Sequence, residues 1–146
     1  MPALLILFAL VVLPGARQQA TAASLEAEIN KSGSALVYGI RFTAESASLE
    51  IGAEKLLQEI VVLMKGHSDW RFEVQGHTSG IGTRAMNLAA SDQRAKAVVA
   101  WLVEHGIEAE RLQSKGCGDT RPVVVNATVE ARALNERIQL RKLNEE

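Results

Sequence analysis

Between Ala35 and Lys142 the spacing of apolar residues switches repeatedly between the period of a strand and that of a helix. Ala35 to Phe42 (ALVYGIRF) is apolar and rich in strand formers, which predicts a buried strand. In Ser46 to Lys65, the residues Ala53, Leu56, Leu57, Ile60, Val61 and Met64 fall on one helical stripe, with Gly66 and His67 as stop signals. Trp70 to Gly76 alternates. Trp70, Phe72 and Val74 share one face, and Arg71, Glu73 and Gln75 the other, as in a half-buried strand. The glycine-rich loop Gly76–Gly82 leads into a second helix from Arg84 to His105, whose core stripe is Leu88, Ala95, Val98, Val99 and Leu102. Leu112 to Gly118 reads as a glycine-interrupted strand, Val129 to Leu134 as a short helix, and Arg137 to Lys142 as a last strand with Ile138 and Leu140 inward.

The predicted order is β-α-β-α-β-(short α)-β. Crossover connections are right-handed and lay successive helices on one side of a sheet. The expected fold class is therefore α/β: a two-layer α/β sandwich with two helices packed on one face of a mixed four-stranded sheet.

The N-terminus has a different pattern. Ala3 to Leu13 is an unbroken apolar run, followed by Pro14-Gly15 and the small residues Ala20-Thr21-Ala22-Ala23. The run is shorter than the roughly 20 residues a spanning helix needs. It fits the apolar part of a secretory signal, although no Lys or Arg precedes it. The expected division is a signal peptide over 1–23 with cleavage near Ala22 or Ala23, a linker over 24–34 and a folded domain over 35–143. A mature chain so cut carries no transmembrane helix, and no Cys follows the run to take a lipid anchor.

Composition narrows the function. The 146 residues carry a net charge of −1 with both signs interspersed, which does not suggest nucleic acid as a partner. Cys117 is the single cysteine, so no intramolecular disulfide forms, and its place between two glycines suits a small packing residue. Three scattered histidines and one cysteine make no zinc pattern. Ser79 and Ser91 lie in no nucleophile motif. No catalytic residue, metal or cofactor is expected. His77 is expected to tie its loop by a hydrogen bond, and His67 and His105 to sit near helix ends. Asn126-Ala127-Thr128 reads as a turn.

The loop feeding the second helix is the segment suited to binding. Amides at a helix start welcome a carboxylate or phosphate, and Gly76, Gly80 and Gly82 let the backbone approach closely. Arg94, farther along that helix at the edge of its packed stripe, can grip a carboxylate with two parallel hydrogen bonds. The alternatives are a purely connecting loop and a structural salt bridge.

The run Gly76-His77-Thr78-Ser79-Gly80-Ile81-Gly82, then Asn87-Leu88 and Ser91-Asp92-Gln93-Arg94-Ala95-Lys96-Ala97-Val98, resembles the OmpA C-terminal signature GHTD-x-x-G…N-x-x-L-S-x-x-R-A-x-x-V. The resemblance continues through Leu102, Gly106-Ile107, Arg111-Leu112 and Gly116 to Pro122, and closes on Asn126, Thr128, Arg132, Asn135 and Arg137. It runs in order from Tyr38 to Leu140. It implies a peptidoglycan-associating domain of the OmpA, Pal and MotB type, a non-enzymatic envelope tether in the periplasm and associated with the outer membrane. The implied ligand is the stem peptide, diaminopimelate above all, with other envelope proteins as further partners. By position, the residues implied to bind are Arg94, Ser79, Asn87, Thr78, Gly80 and Gly82.

Several positions depart from the pattern. The family's ammonium-binding Asp falls on Ser79, a loss worth about 1.5–3 kcal/mol. Ala131 replaces a glycine, Glu136 an arginine, Gln139 a glutamate and Ala90 a leucine. Glu136 and Asp92 are candidate replacement anions, and Ser79→Asp is expected to tighten binding. The alternative is a degenerate domain that keeps the fold and serves as a protein-interaction or structural module, with weak wall binding or none. A wall-acting enzyme is the third reading.

Overall fold

The computed structural model describes residues 19–43, 48–125 and 128–144. The apolar run at Ala3–Leu13, the start of the first predicted helix at Ser46-Ala47, and Asn126-Ala127 of the predicted turn lie outside the described residues.

Four strands form one sheet: β1 (Ser34–Val37), β2 (Arg71–His77), β3 (Leu112–Gly118) and β4 (Arg137–Leu143), in the order β1-β4-β2-β3. β4 runs antiparallel to both β1 and β2, whereas β2 and β3 are parallel, so the sheet is mixed as expected. The helices are α1 (Ala22–Ser32), α2 (Ala53–Gly66), α3 (Arg84–Glu104) and the short α4 (Val129–Asn135). Helix α3 is the crossover that a parallel β2–β3 pair requires. One sheet face carries Ala35, Val37, Phe72, Val74, Ile138 and Leu140, all buried. They meet Leu25 and Ile29 of α1, Leu57, Ile60 and Met64 of α2, and Ala95, Val98 and Leu102 of α3 in one cluster. Each fully buried Val, Leu, Ile, Met or Phe side chain among them contributes about 1.5–3 kcal/mol.

Two glycines set the position of α3. A Cβ on Gly76 would collide with the backbone carbonyl of Ser91, and one on Gly116 would lie 2.5 Å from the Asp92 amide. The helix backbone therefore rests directly on β2 and β3. Ser91, fully buried, seals the contact: its hydroxyl accepts from the Gly118 amide at 2.8 Å and donates to the Leu88 carbonyl at 2.9 Å. Arg94 emerges one turn later.

Several expectations need correction. The strand predicted over 35–42 ends at Val37, because Gly39 takes φ +94° and turns the chain away; Phe42 then bridges only to Leu49. The helix predicted from Ser46 begins at Ala53, after Gly52 at φ +104°. Leu56 is only half-buried, and Leu63, outside the predicted stripe, is buried. In α3, Leu88 is exposed and Asn87 and Ser91 take the inward positions. The linker expected over 24–34 is mostly helix α1, which adds a third long helix to the layer. Its Thr21 cap accepts from the Ser24 amide at 3.1 Å, and its two buried residues, Leu25 and Ile29, make too short a stripe to stand out in sequence.

The largest departure concerns the far face of β2. Glu73, Gln75 and His77 are buried rather than solvated. They stand opposite Arg141, Gln139 and Arg137 of β4 and join into a ladder. Gln75 Nε2 donates to Glu73 Oε1 at 2.7 Å, His77 Nε2 donates to Gln75 Oε1 at 3.1 Å, and Arg141 Nε donates to Glu73 Oε1 at 3.3 Å. Burial raises the Glu73 pKa, but the Arg141 and Gln75 bonds outweigh it and hold the carboxyl below its usual range. A central strand flanked on both sides buries its polar residues by pairing them.

Candidate functional site

The loop after β2 is held from both sides. The Thr78 amide donates to the Gly118 carbonyl at 2.9 Å. Gly80 and Gly82 take φ +84° and +91°, which side-chain-bearing residues rarely adopt. Asn87 donates through Nδ2 to the carbonyls of Ile81 at 3.1 Å and Thr83 at 2.8 Å. Thr83 caps α3 by accepting from the Met86 amide at 3.2 Å. These bonds tie the loop to the end of β3 and to the first turn of α3.

Ser79 faces elsewhere. Its amide and its hydroxyl both donate to Glu136 Oε1, at 2.9 and 3.0 Å. Arg94 Nη1 donates to the other oxygen, Oε2, at 2.7 Å. One carboxylate therefore joins loop, helix and the α4–β4 junction. Its neighbours fix where it stands. Asn135, buried, accepts from the Val123 amide at 2.8 Å and donates to the Val124 carbonyl at 3.1 Å. Arg137 donates to the Arg121 carbonyl at 2.9 Å.

Beside the Arg94–Glu136 pair opens a cleft of about 440 Å³. The chain that leaves the sheet at Gly39 forms its far wall, with Tyr38, Arg41 and Phe42. The Arg94 guanidinium lies 5.5 Å from the Phe42 ring centroid, within cation–π range. Arg41, Arg94 and Arg137 line the cleft against Glu50 and Glu136, so cations outnumber anions. The pair itself is reachable, with side chains 28% and 40% exposed.

His77 also lines this cleft. Burial, with the positive charges of Arg137 and Arg121, pushes its pKa down to about 4, so the ring is neutral near pH 7. The expected tie to the loop is not made by its Nε2, which instead donates to Gln75 within the same strand. Burial likewise lowers the Arg137 pKa, though a guanidinium stays charged.

The six residues expected to bind thus separate. Arg94 lines the cleft, and Ser79 reaches it through Glu136. Asn87 stitches the loop to α3, Thr78 is buried behind the loop, and Gly80 and Gly82 shape the turn. The start of α3 is about 15 Å along the helix from Arg94, too far for its amides to share a small ligand group with that side chain. Of the two candidate replacement anions, Asp92 is engaged by Lys96 at 2.7 Å, and Glu136 stands at the site. Tyr38, Arg41 and Phe42 were hidden inside an apparently continuous strand. Gly39 within that pattern was the available signal.

The loop, the helix and the end of α4 that are joined at Glu136 lie within the region matched to known proteins. The OmpA family profile covers residues 41–136, more than half of the sequence. The chain belongs to the OmpA family. It is 35% identical over 101 residues to outer membrane porin F of Pseudomonas aeruginosa, covering 68% of this chain and 29% of the porin. To the peptidoglycan-binding protein ArfA of Mycobacterium tuberculosis it is 30% identical over 128 residues, 87% of this chain and 38% of ArfA. The chain thus spans well under half the length of these relatives. The crystal structure of the peptidoglycan-associated lipoprotein of Burkholderia pseudomallei superposes with a TM-score of 0.64 at 26% identity, covering 77% of this chain and 92% of that one. Among the described residues no helix is long and apolar enough to cross a membrane.

Proposed function

We propose that this OmpA-family chain binds bacterial peptidoglycan non-covalently, as an envelope tether, and that Arg94 takes a carboxylate of the stem peptide, of the diaminopimelate type. The observation that carries the reading is the partly exposed Arg94 guanidinium lining a cation-rich cleft. A cleft of this sign attracts carboxylates, and a forked donor holds them by two bonds. The names of ArfA and the peptidoglycan-associated lipoprotein support the ligand class. Thr78, Gly80, Gly82 and Asn87 act by positioning the loop, and Ser79 by orienting Glu136.

The test is co-sedimentation with purified diaminopimelate-type sacculi at low and moderate salt. Wild type pellets with the wall, and Arg94→Ala leaves the protein in the supernatant. One observation favours a second reading: Arg94 already holds an internal carboxylate, as it would in a domain that kept the fold and serves only to bind other envelope proteins. Wild type staying in the supernatant, with a crosslinked envelope partner, would select it. Incubation with muropeptides that yields no new mass supports a non-enzymatic role.

Export through the N-terminal apolar run fits the envelope placement of the relatives. A cut at Ala22 or Ala23 would remove the Thr21 cap of α1, costing about 1 kcal/mol. N-terminal sequencing of the chain recovered from the envelope fixes the site.

A further inference from the structure

The Arg94–Glu136 pair is unsaturated on both sides. A carboxylate offers about four lone-pair positions. Glu136 fills three of them, with the Ser79 amide, the Ser79 hydroxyl and Arg94 Nη1. The remaining position belongs to Oε2, on a side chain that is 40% exposed and lines the cleft. Among the described residues, Arg94 hydrogen-bonds only through Nη1, although a guanidinium carries about five N–H groups. An acceptor and several donors with capacity to spare therefore stand side by side at the mouth of one cleft. That is the complement of an ammonium and a carboxylate borne on a single carbon.

Resting on the wall-binding reading above, we infer that Glu136 replaces the missing loop acid: it receives the ammonium of a zwitterionic amino-acid centre while Arg94 takes the carboxylate. The charge that the family pattern places at position 79 is supplied from the α4–β4 junction, and the serine's two donors aim it. Asn135 and Arg137, both buried and bonded to the preceding loop, hold the acid in place on either side. The rival role for Glu136 is a plug that competes with the ligand's carboxylate for Arg94.

The two roles give opposite results in one set of variants. Glu136→Gln keeps the shape and the oxygen that accepts from Ser79, and removes the charge. With sacculi as the probe, the full chain carrying E136Q binds about 10-fold or more weakly than wild type if the acid receives an ammonium. Adding S79D to E136Q restores most of the loss, which also shows that the single variant was folded. Free meso-diaminopimelate displaces wild type from sacculi, whereas pimelate, the same dicarboxylate without amino groups, does not. Binding by E136Q as tight as wild type, or tighter, overturns the inference in favour of the plug and leaves the wall reading standing. Equal displacement by pimelate also overturns it. Failure of wild type to pellet overturns the wall reading and this inference together.

Discussion

Two arginines at different places in the fold use the same side chain to opposite ends. Arg111 closes the base of the sheet. Its Nε donates to the Trp70 carbonyl at 3.0 Å, and its Nη2 to the carbonyls of Met64 and His67, both at 2.7 Å. Nη1 adds Glu108 at 3.1 Å, and the side chain is 11% exposed. Arg94 makes one hydrogen bond among the described residues and is 28% exposed beside a cleft. A guanidinium that makes four hydrogen bonds, three of them to backbone carbonyls, holds secondary structure together. One left with donors to spare, beside a cleft, has capacity for a ligand.

The sharpest way to break this contrast is to remove each side chain in turn. Arg111→Ala leaves the carbonyls at the end of α2 without their partner and costs about 3 kcal/mol of stability in urea unfolding, while the protein that remains folded binds the wall unchanged. Arg94→Ala shifts stability by less than about 1 kcal/mol, because a partly exposed pair is worth little, and its effect falls on binding instead. A comparable stability loss at the two sites would end the distinction.

A somewhat smaller effect concerns the polar ladder behind the site. The folded pKa of His77 is about 4 against an ordinary value of 6.5, so below pH 6.5 the unfolded chain takes up the proton first. Its contribution is complete above pH 6.5 and is lost as pH falls towards 4, by about 2–3 kcal/mol at the low end. His77→Gln flattens the stability profile between those limits. An unchanged slope would show that the ring titrates as freely in the fold as outside it.

Smaller still is the effect of Ser79→Asp. Sequence alone suggested that restoring the family acid would tighten binding. The Ser79 hydroxyl, however, lies 3.0 Å from Glu136 Oε1, so a second carboxylate there meets one already present. Ser79→Asp in the otherwise native chain gains no wall affinity and loses less than about 1 kcal/mol of stability. A clear gain in co-sedimentation would mean that Glu136 swings out without cost.

How far the sequence reached follows from the range of each contact. Periodicity located α3, β3 and β4 to within a few residues, because a strand or helix face is a local pattern. It failed at Gly39, where one left-handed residue ends an apolar run that otherwise reads as strand. It also misread Glu73, Gln75 and His77, since alternation reports polarity and cannot say whether a neighbouring strand covers the polar side. Its place at the edge of the α3 stripe brought Arg94 into view, and the family resemblance added Ser79. What joins them is Glu136, 42 residues from one and 57 from the other, and no local pattern encodes a contact of that span.

A wall-binding Arg94 must keep donors available for a ligand's acid. The most direct measurement is the NMR signal of its Nε–H during titration of the full chain with a soluble diaminopimelate-containing stem peptide, with the Arg111 Nε–H as internal reference. The Arg94 resonance should shift and gain protection from exchange as the peptide binds, while that of Arg111, already bonded to Trp70, stays where it was. A stationary Arg94 signal at peptide concentrations that saturate binding would contradict the account.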